Sequence, residues 1–183
     1  MSELRITGGR LRGRRLRVPQ GVRPTEGRVR EALFSIWQQR VPGARLVELF
    51  AGAGSVGLEA ISRGAREVVF VEGDARVARA LEQNLKGLAP PGSWRRHRLR
   101  LPSGLAVLAR AESQPFDLAF ADPPYAFRDH DRLVMATAPL LAPDGELVIE
   151  HAADLAWRPS PDLPLRMADR RVYGGSALSF LRR

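Results

Sequence analysis

The chain contains no cysteine, which excludes disulfides and thiolate metal sites. Its three histidines, His97, His130 and His151, lack the spacing of a ligand set, so no metal is expected. No apolar run approaches the thickness of a bilayer, and no membrane partner is expected. The first residues, MSELRITGGRLRGRRLRVP, lack the apolar segment of a secretory signal, so a cytoplasmic location is expected. Lysine is almost missing as well: Lys86 is the single one among 29 basic residues. There is no internal repeat and no low-complexity stretch.

What is present is arginine, unevenly spread. Net charge is +9, from 29 basic and 20 acidic residues. Residues 1–40 hold ten arginines and three glutamates, or +7, which leaves +2 for the other 143. Guanidinium forks suit phosphate and stack on bases, so the cluster points to a polyanion, and nucleic acid above all. Arg10, Arg12, Arg14, Arg15 and Arg17 are the candidate phosphate contacts.

At 183 residues the chain can fill one core, and a monomer is expected. Residues 3–18 read as a hairpin: Leu4 and Ile6 alternate with polar residues, GG at 8–9 can turn, and Leu16 and Val18 alternate again. In such a strand Arg10, Arg12 and Arg14 would share a face. The spacing predicts a linker at 20–24, then a helix capped by Thr25 and Glu26 that runs to about Arg40. Strands at 45–50, 66–72, 94–101, 116–121 and 145–151 alternate with helices at 55–64, 74–88, 103–111 and 128–138. The tail makes two strands around YGGS (173–176), with Tyr173 expected to pack. This alternation predicts an α/β fold: a mostly parallel sheet, helices on both faces, and an antiparallel edge. Residues 1–22 form a basic extension, and 23–183 the main domain.

Two motifs carry chemistry. VELFAGAGSVG (47–57) sets Gly52, Gly54 and Gly57 between a strand and a helix, where bare backbone can approach a nucleotide-like ligand. Glu72, with Gly73 after it, closes the next strand, twenty residues past Gly52. A carboxylate there can accept hydrogen bonds from ribose hydroxyls. The pattern alone also fits a dinucleotide. Glu48, beside Phe50, favours a cationic cofactor such as S-adenosylmethionine (SAM), which carries an ammonium and a sulfonium; the bland alternative for Glu48 is a helix-dipole contact.

The second motif is FADPPYAF (120–127). Prolines fix chain direction and push the preceding residue out of the helical region, so Asp122, Pro123, Pro124 and Tyr125 form a rigid turn at a strand end. An amine on a planar ring is a poor nucleophile. Asp122 and the Pro123 carbonyl can accept its two N–H bonds while Tyr125 stacks on the ring.

The sequence resembles the RsmD-type 16S ribosomal RNA guanine-N2 methyltransferases along nearly its whole length. LRITGGRLRGRRL (4–16), RPTEGRVREALFSIW (23–37) and YGGSALSF (173–180) are the specific stretches. ELFAGAGSVGLEAISRGA, VEGDARVARALEQNL and FADPPYAF occur more widely among SAM enzymes. The resemblance implies a Rossmann-like, seven-stranded methyltransferase sheet with an N-terminal β-hairpin. It implies methylation of guanine 966, in the loop of helix 31, within an assembling 30S subunit, and places Arg23, Thr25 and Arg28 near the cofactor or base. The sequence departs from the family at Gly27, where an acidic residue is usual, and at Ser103, where Asp or Asn commonly holds the adenine amine. Competing readings are an adenine-N6 methyltransferase on DNA or RNA, a NAD-dependent oxidoreductase, and a non-catalytic RNA-binding assembly factor.

Overall fold

A computed structural model describes residues 4–19 and 27–183. Its elements are α1 (Gly27–Ile36), β1 (Arg45–Leu49), α2 (Ser55–Ser62), β2 (Glu67–Val71), α3 (Ala75–Leu88), β3 (Trp94–His97), α4 (Leu105–Ala111), β4 (Phe116–Ala121), α5 (His130–Thr137), β5 (Leu141–Ala152), β6 (Arg166–Tyr173) and β7 (Ser176–Arg182). The seven strands form one sheet in the order β3-β2-β1-β4-β5-β7-β6. β1 to β5 run parallel, and β7 is antiparallel to both β5 and β6. The expected α/β sheet is therefore present, with the β6–β7 hairpin as its antiparallel edge.

Strands β1, β2 and β4 are buried almost throughout, as crossover helices on both faces require. One apolar cluster joins the sheet to α1, α2 and α3, and the other joins it to α4 and α5. Fixed ion pairs close the margins. The fully buried Arg45 pairs with Glu67 at 2.6 Å and with Glu112, and lies 4.3 Å over the Phe116 ring. Glu146, also fully buried, accepts from Trp37 Nε1 at 2.7 Å and pairs with Arg40 and Arg182. β3 is an edge strand, and it ends at His97 rather than at 101.

Strand order reverses between β1 and β4, both running parallel. A switch point of this kind opens a crevice beyond the strand C-termini. The register pairs Leu49 with both Val71 and Ala121, and Ala121 with Ile149. The residues that follow these positions, Phe50, Glu72, Asp122 and Glu150, are thereby delivered to one edge of the sheet.

The N-terminal segment is a shorter hairpin than expected, its arms joined by Ile6 N donating to Arg14 O at 3.0 Å and Leu16 N to Leu4 O at 2.9 Å. Its two arms share a single bridge, Arg5 with Arg15, and residues 8–13 are turns and bends. Arg10 and Arg12 therefore lie on a turn, not on one strand face. Gly9 (φ 73°) and Gly13 (φ 81°) explain this, because left-handed backbone breaks the extended run. Nor does the segment stand apart: Leu4, Ile6 and Leu16 are buried in the α1–α3 cluster. Glu59 of α2 anchors it, accepting from Thr7 N (2.8 Å), Thr7 Oγ1 (2.9 Å) and Gly8 N (2.7 Å). Asn84 of α3 holds the other arm, accepting from Arg17 N and donating to Arg17 O, both at 2.9 Å. The boundary placed at 22/23 lies outside the described residues.

Candidate active site

The glycine loop turns directly after β1. Phe50 adopts φ 57°, followed by Gly52 at 55° and Gly54 at 78°. A left-handed phenylalanine costs energy and is characteristic of functional sites. Gly57 is required by packing: a Cβ there would lie 2.3 Å from the Phe70 ring and 2.7 Å from the Glu48 carboxylate. The half-buried Glu72 ties the loop to the next turn, accepting from Gly52 N and Asp74 N, each at 2.9 Å. A carboxylate offers about four lone-pair sites, so Glu72 retains acceptor capacity toward the crevice. Gly73 lies against the 98–104 loop, where a Cβ would meet Leu99 O at 3.2 Å. Ser103 is exposed on that loop and donates to Arg100 O at 3.3 Å. Bare backbone, positive φ and a carboxylate with spare acceptors fit a ribose-bearing cofactor such as SAM.

Glu48 departs from expectation. Instead of facing a cationic ligand, it is 3% exposed, beneath α2. Its oxygens accept from Val56 N at 3.1 Å and Gly57 N at 2.8 Å. Gly54, which starts that helix, has no side chain to cap it, so the strand carboxylate satisfies the free amides. Burial pushes the Glu48 carboxyl up to about 8, against these two hydrogen bonds, which favour the charged form.

On the other side of the switch point, Asp122 is half-buried, Pro123 buried, Pro124 exposed and Tyr125 51% exposed. The turn is held by Phe127 N donating to Pro124 O at 2.7 Å. Arg128 Nη1 donates to Tyr125 O at 2.6 Å and Phe127 O at 3.0 Å. Phe127 packs edge-on to Phe50, with centroids 5.5 Å apart, and so joins the two motifs. A pocket of about 250 Å³ opens beside the turn, lined among others by Pro123, Tyr125, Arg128, His130, His151 and Asp154. Burial above all holds both histidines below their ordinary pKa.

The structure thus gathers Phe50, Gly52, Gly54, Glu72, Gly73 and Asp122–Tyr125 at one sheet edge, with Ser103 on an adjoining loop. Sequence reasoning missed Phe127, Arg128, His130 and His151; nearness to FADPPYAF was the available signal for the first three. Arg10, Arg12, Arg14, Arg15, Arg17 and Arg28 are exposed. Arg23 and Thr25 lie outside the described residues. Among the described residues no acidic, histidine or cysteine cluster could hold a metal, and no helix is long and apolar enough to cross a membrane.

Comparison with known proteins gives the chain's relatives. The Haemophilus influenzae "Ribosomal RNA small subunit methyltransferase D" is 41% identical over 128 residues, 68% of this chain and 65% of that protein. The Escherichia coli K12 protein of the same name is 38% identical over 125 residues, 67% of this chain and 61% of its own. The aligned stretch therefore spans somewhat less than two thirds of these relatives. Among solved structures, a hypothetical protein of Thermus thermophilus is 37% identical, covers 98% of this chain and 99% of its own, and has TM-score 0.81. A chain solved complexed with SAH, 13% identical over 85% of this chain and 48% of its own, has TM-score 0.68 and attests to the fold alone. The model of the family described as Conserved hypothetical protein 95 matches residues 4–182, and the chain belongs to that family, the RsmD type.

Proposed function

We propose that this chain is an rRNA methyltransferase that moves the methyl group of SAM to the exocyclic N2 amine of a guanine, guanine 966 of 16S rRNA, in an assembling small subunit. The observation that carries the reading is the β1–β4 register, which sets the glycine loop and Asp122–Tyr125 side by side. SAM, when bound, supplies a methyl carbon made electrophilic by its sulfonium. Glu72 takes the ribose hydroxyls with its remaining lone pairs, and Gly52 and Gly54 let the backbone close on the cofactor. Asp122 and the Pro123 carbonyl accept the two N–H bonds of the target amine and turn its lone pair toward the methyl group. With SAM held there, the nitrogen–carbon bond would form as the carbon–sulfur bond breaks, the electron pair staying on sulfur as a neutral thioether and the amine giving one proton to water. Tyr125, at the pocket mouth, stacks on the base. The exposed arginines of the N-terminal segment, with Arg23 and Arg28, meet RNA phosphates.

The names of the family's relatives, the basic segment and the amine-holding turn support this reading. Labelled SAM offered with naked 16S RNA, small subunits or duplex DNA tests it. Label in either RNA sample and none in DNA is expected. Label in DNA alone would favour the adenine-N6 alternative, and none anywhere a non-catalytic factor.

A further inference from the structure

The chemistry proposed above leaves two buried imidazoles of the pocket unused. His151, at the end of β5, is 5% exposed. Its Nδ1 is 2.9 Å from Ala152 O and its Nε2 is 2.9 Å from Ser179 Oγ. A carbonyl can only accept, so Nδ1 carries the proton and the Ser179 hydroxyl donates to Nε2. Ser179 lies in the YGGSALSF stretch, and through this bond it saturates His151 within the protein.

His130 is placed differently. It opens α5, 4% exposed, among the rings of Phe127 (5.2 Å), Trp157 (5.0 Å) and His151 (6.2 Å). Its ring bonds the Arg128 backbone in the way that favours an N–H donor. In the neutral ring the second nitrogen can then only accept. The charged and titratable groups around it are Arg128 on the preceding loop, His151 on β5, Asp131 on its own helix, which accepts from Trp157 Nε1 at 2.8 Å, and Asp154 across the pocket. Burial first, and then His151, keep His130 below its ordinary pKa, which favours the neutral ring.

We infer that His130 reads the N1–H of the target guanine and so selects guanine over adenine. The inference rests on the methyl-transfer reading. With the N2 amine held by Asp122 and the Pro123 carbonyl, the neighbouring donor on the same base edge is N1–H. Pro123 and His130 line one pocket, so an acceptor on its wall meets that donor. Adenine presents an unprotonated N1 there, which sets one lone pair against another and leaves a buried acceptor without a partner.

An RNA carrying 2,6-diaminopurine in place of the target guanine separates the cases, because it keeps the 2-amine and lacks N1–H. In single turnovers wild type should methylate guanine at least about tenfold faster than diaminopurine, the scale of one hydrogen bond to a buried acceptor. His130→Phe should lose that preference, with the guanine rate falling about tenfold and the diaminopurine rate unchanged, while SAM affinity and melting temperature hold. His130→Gln, which restores an acceptor oxygen, should recover part of the preference. Equal wild-type rates on the two RNAs would overturn the inference whatever the variants do, and so would a preference kept by His130→Phe. No methylation of either RNA by wild type would overturn the methyl-transfer reading, and this inference with it.

Discussion

The N-terminal segment combines two properties that substitution should separate. Ile6 is 2% exposed within the core cluster, whereas Arg10, Arg12 and Arg14 are exposed. Ile6→Ala leaves a cavity beside α2 and should cost about 2–5 kcal/mol. In a chain of 183 residues that corresponds to a fall in Tm on the order of 10 °C. Glu59→Gln should cost a similar amount, because the buried carboxylate holds Thr7 N, Gly8 N and Arg63 Nε at 2.7–2.8 Å and an amide cannot accept them all. Replacing Arg10, Arg12 and Arg14 by alanine removes exposed side chains and should shift stability by no more than about 0.5 kcal/mol each. The triple variant should instead bind RNA of many sequences more weakly, and its log-affinity against log-salt slope should flatten by roughly 0.7–0.9 per lost phosphate contact. Urea unfolding and RNA binding across a salt series measure both. A stable Ile6→Ala variant would refute the core assignment, and an unchanged slope in the arginine triple variant would refute the RNA assignment.

Glu72→Ala should weaken SAM binding by about 1–3 kcal/mol in calorimetry, through lost ribose bonds and a released Gly52 amide; unchanged affinity would remove Glu72 from the cofactor site. Asp122→Ala should slow single-turnover methyl transfer strongly while SAM affinity stays within about a few-fold; an unchanged rate would make Asp122 a turn residue only. Tyr125→Phe should be mild and Tyr125→Ala severe, since stacking needs the ring, not the hydroxyl; equal effects would count against stacking. Glu48, raised to about 8 in the fold, holds a proton there that the unfolded chain has already released. Its contribution to stability is complete below the ordinary carboxyl range and is lost as pH rises toward 8. Glu48→Gln should abolish that dependence, so wild type should lose up to about 1.4 kcal/mol per pH unit relative to the variant in that window; parallel stability curves would show that Glu48 does not titrate there.

Periodicity and punctuation made most of the fold legible. VVFV and FDLAFA read as buried strands because helices cover both faces, and the Asp74 carboxylate that caps α3 stands just before the helical pattern begins. What failed depended on partners remote in sequence. The alternation over residues 3–18 reads as two full strands; the arms do exchange backbone bonds, Ile6 N to Arg14 O and Leu16 N to Leu4 O, but the turn between them is fixed by Glu59 and Ser62 and the second arm by Asn84, more than fifty residues away. Glu48 misleads because a carboxylate near a glycine loop signals a ligand equally well whether it faces the crevice or a bare helix end. His130 and His151 look like isolated histidines in the sequence; only the β5–β7 pairing and the start of α5 bring them to one pocket.

The identity of the methylated atom tests the proposed chemistry most directly. RNA methylated by the chain with labelled SAM can be digested to nucleosides and the label assigned by mass spectrometry. Label in N2-methylguanosine from 16S RNA is expected, strongly reduced in Asp122→Ala. Label in N6-methyladenosine, or N2-methylguanosine formed equally well by Asp122→Ala, would contradict that chemistry.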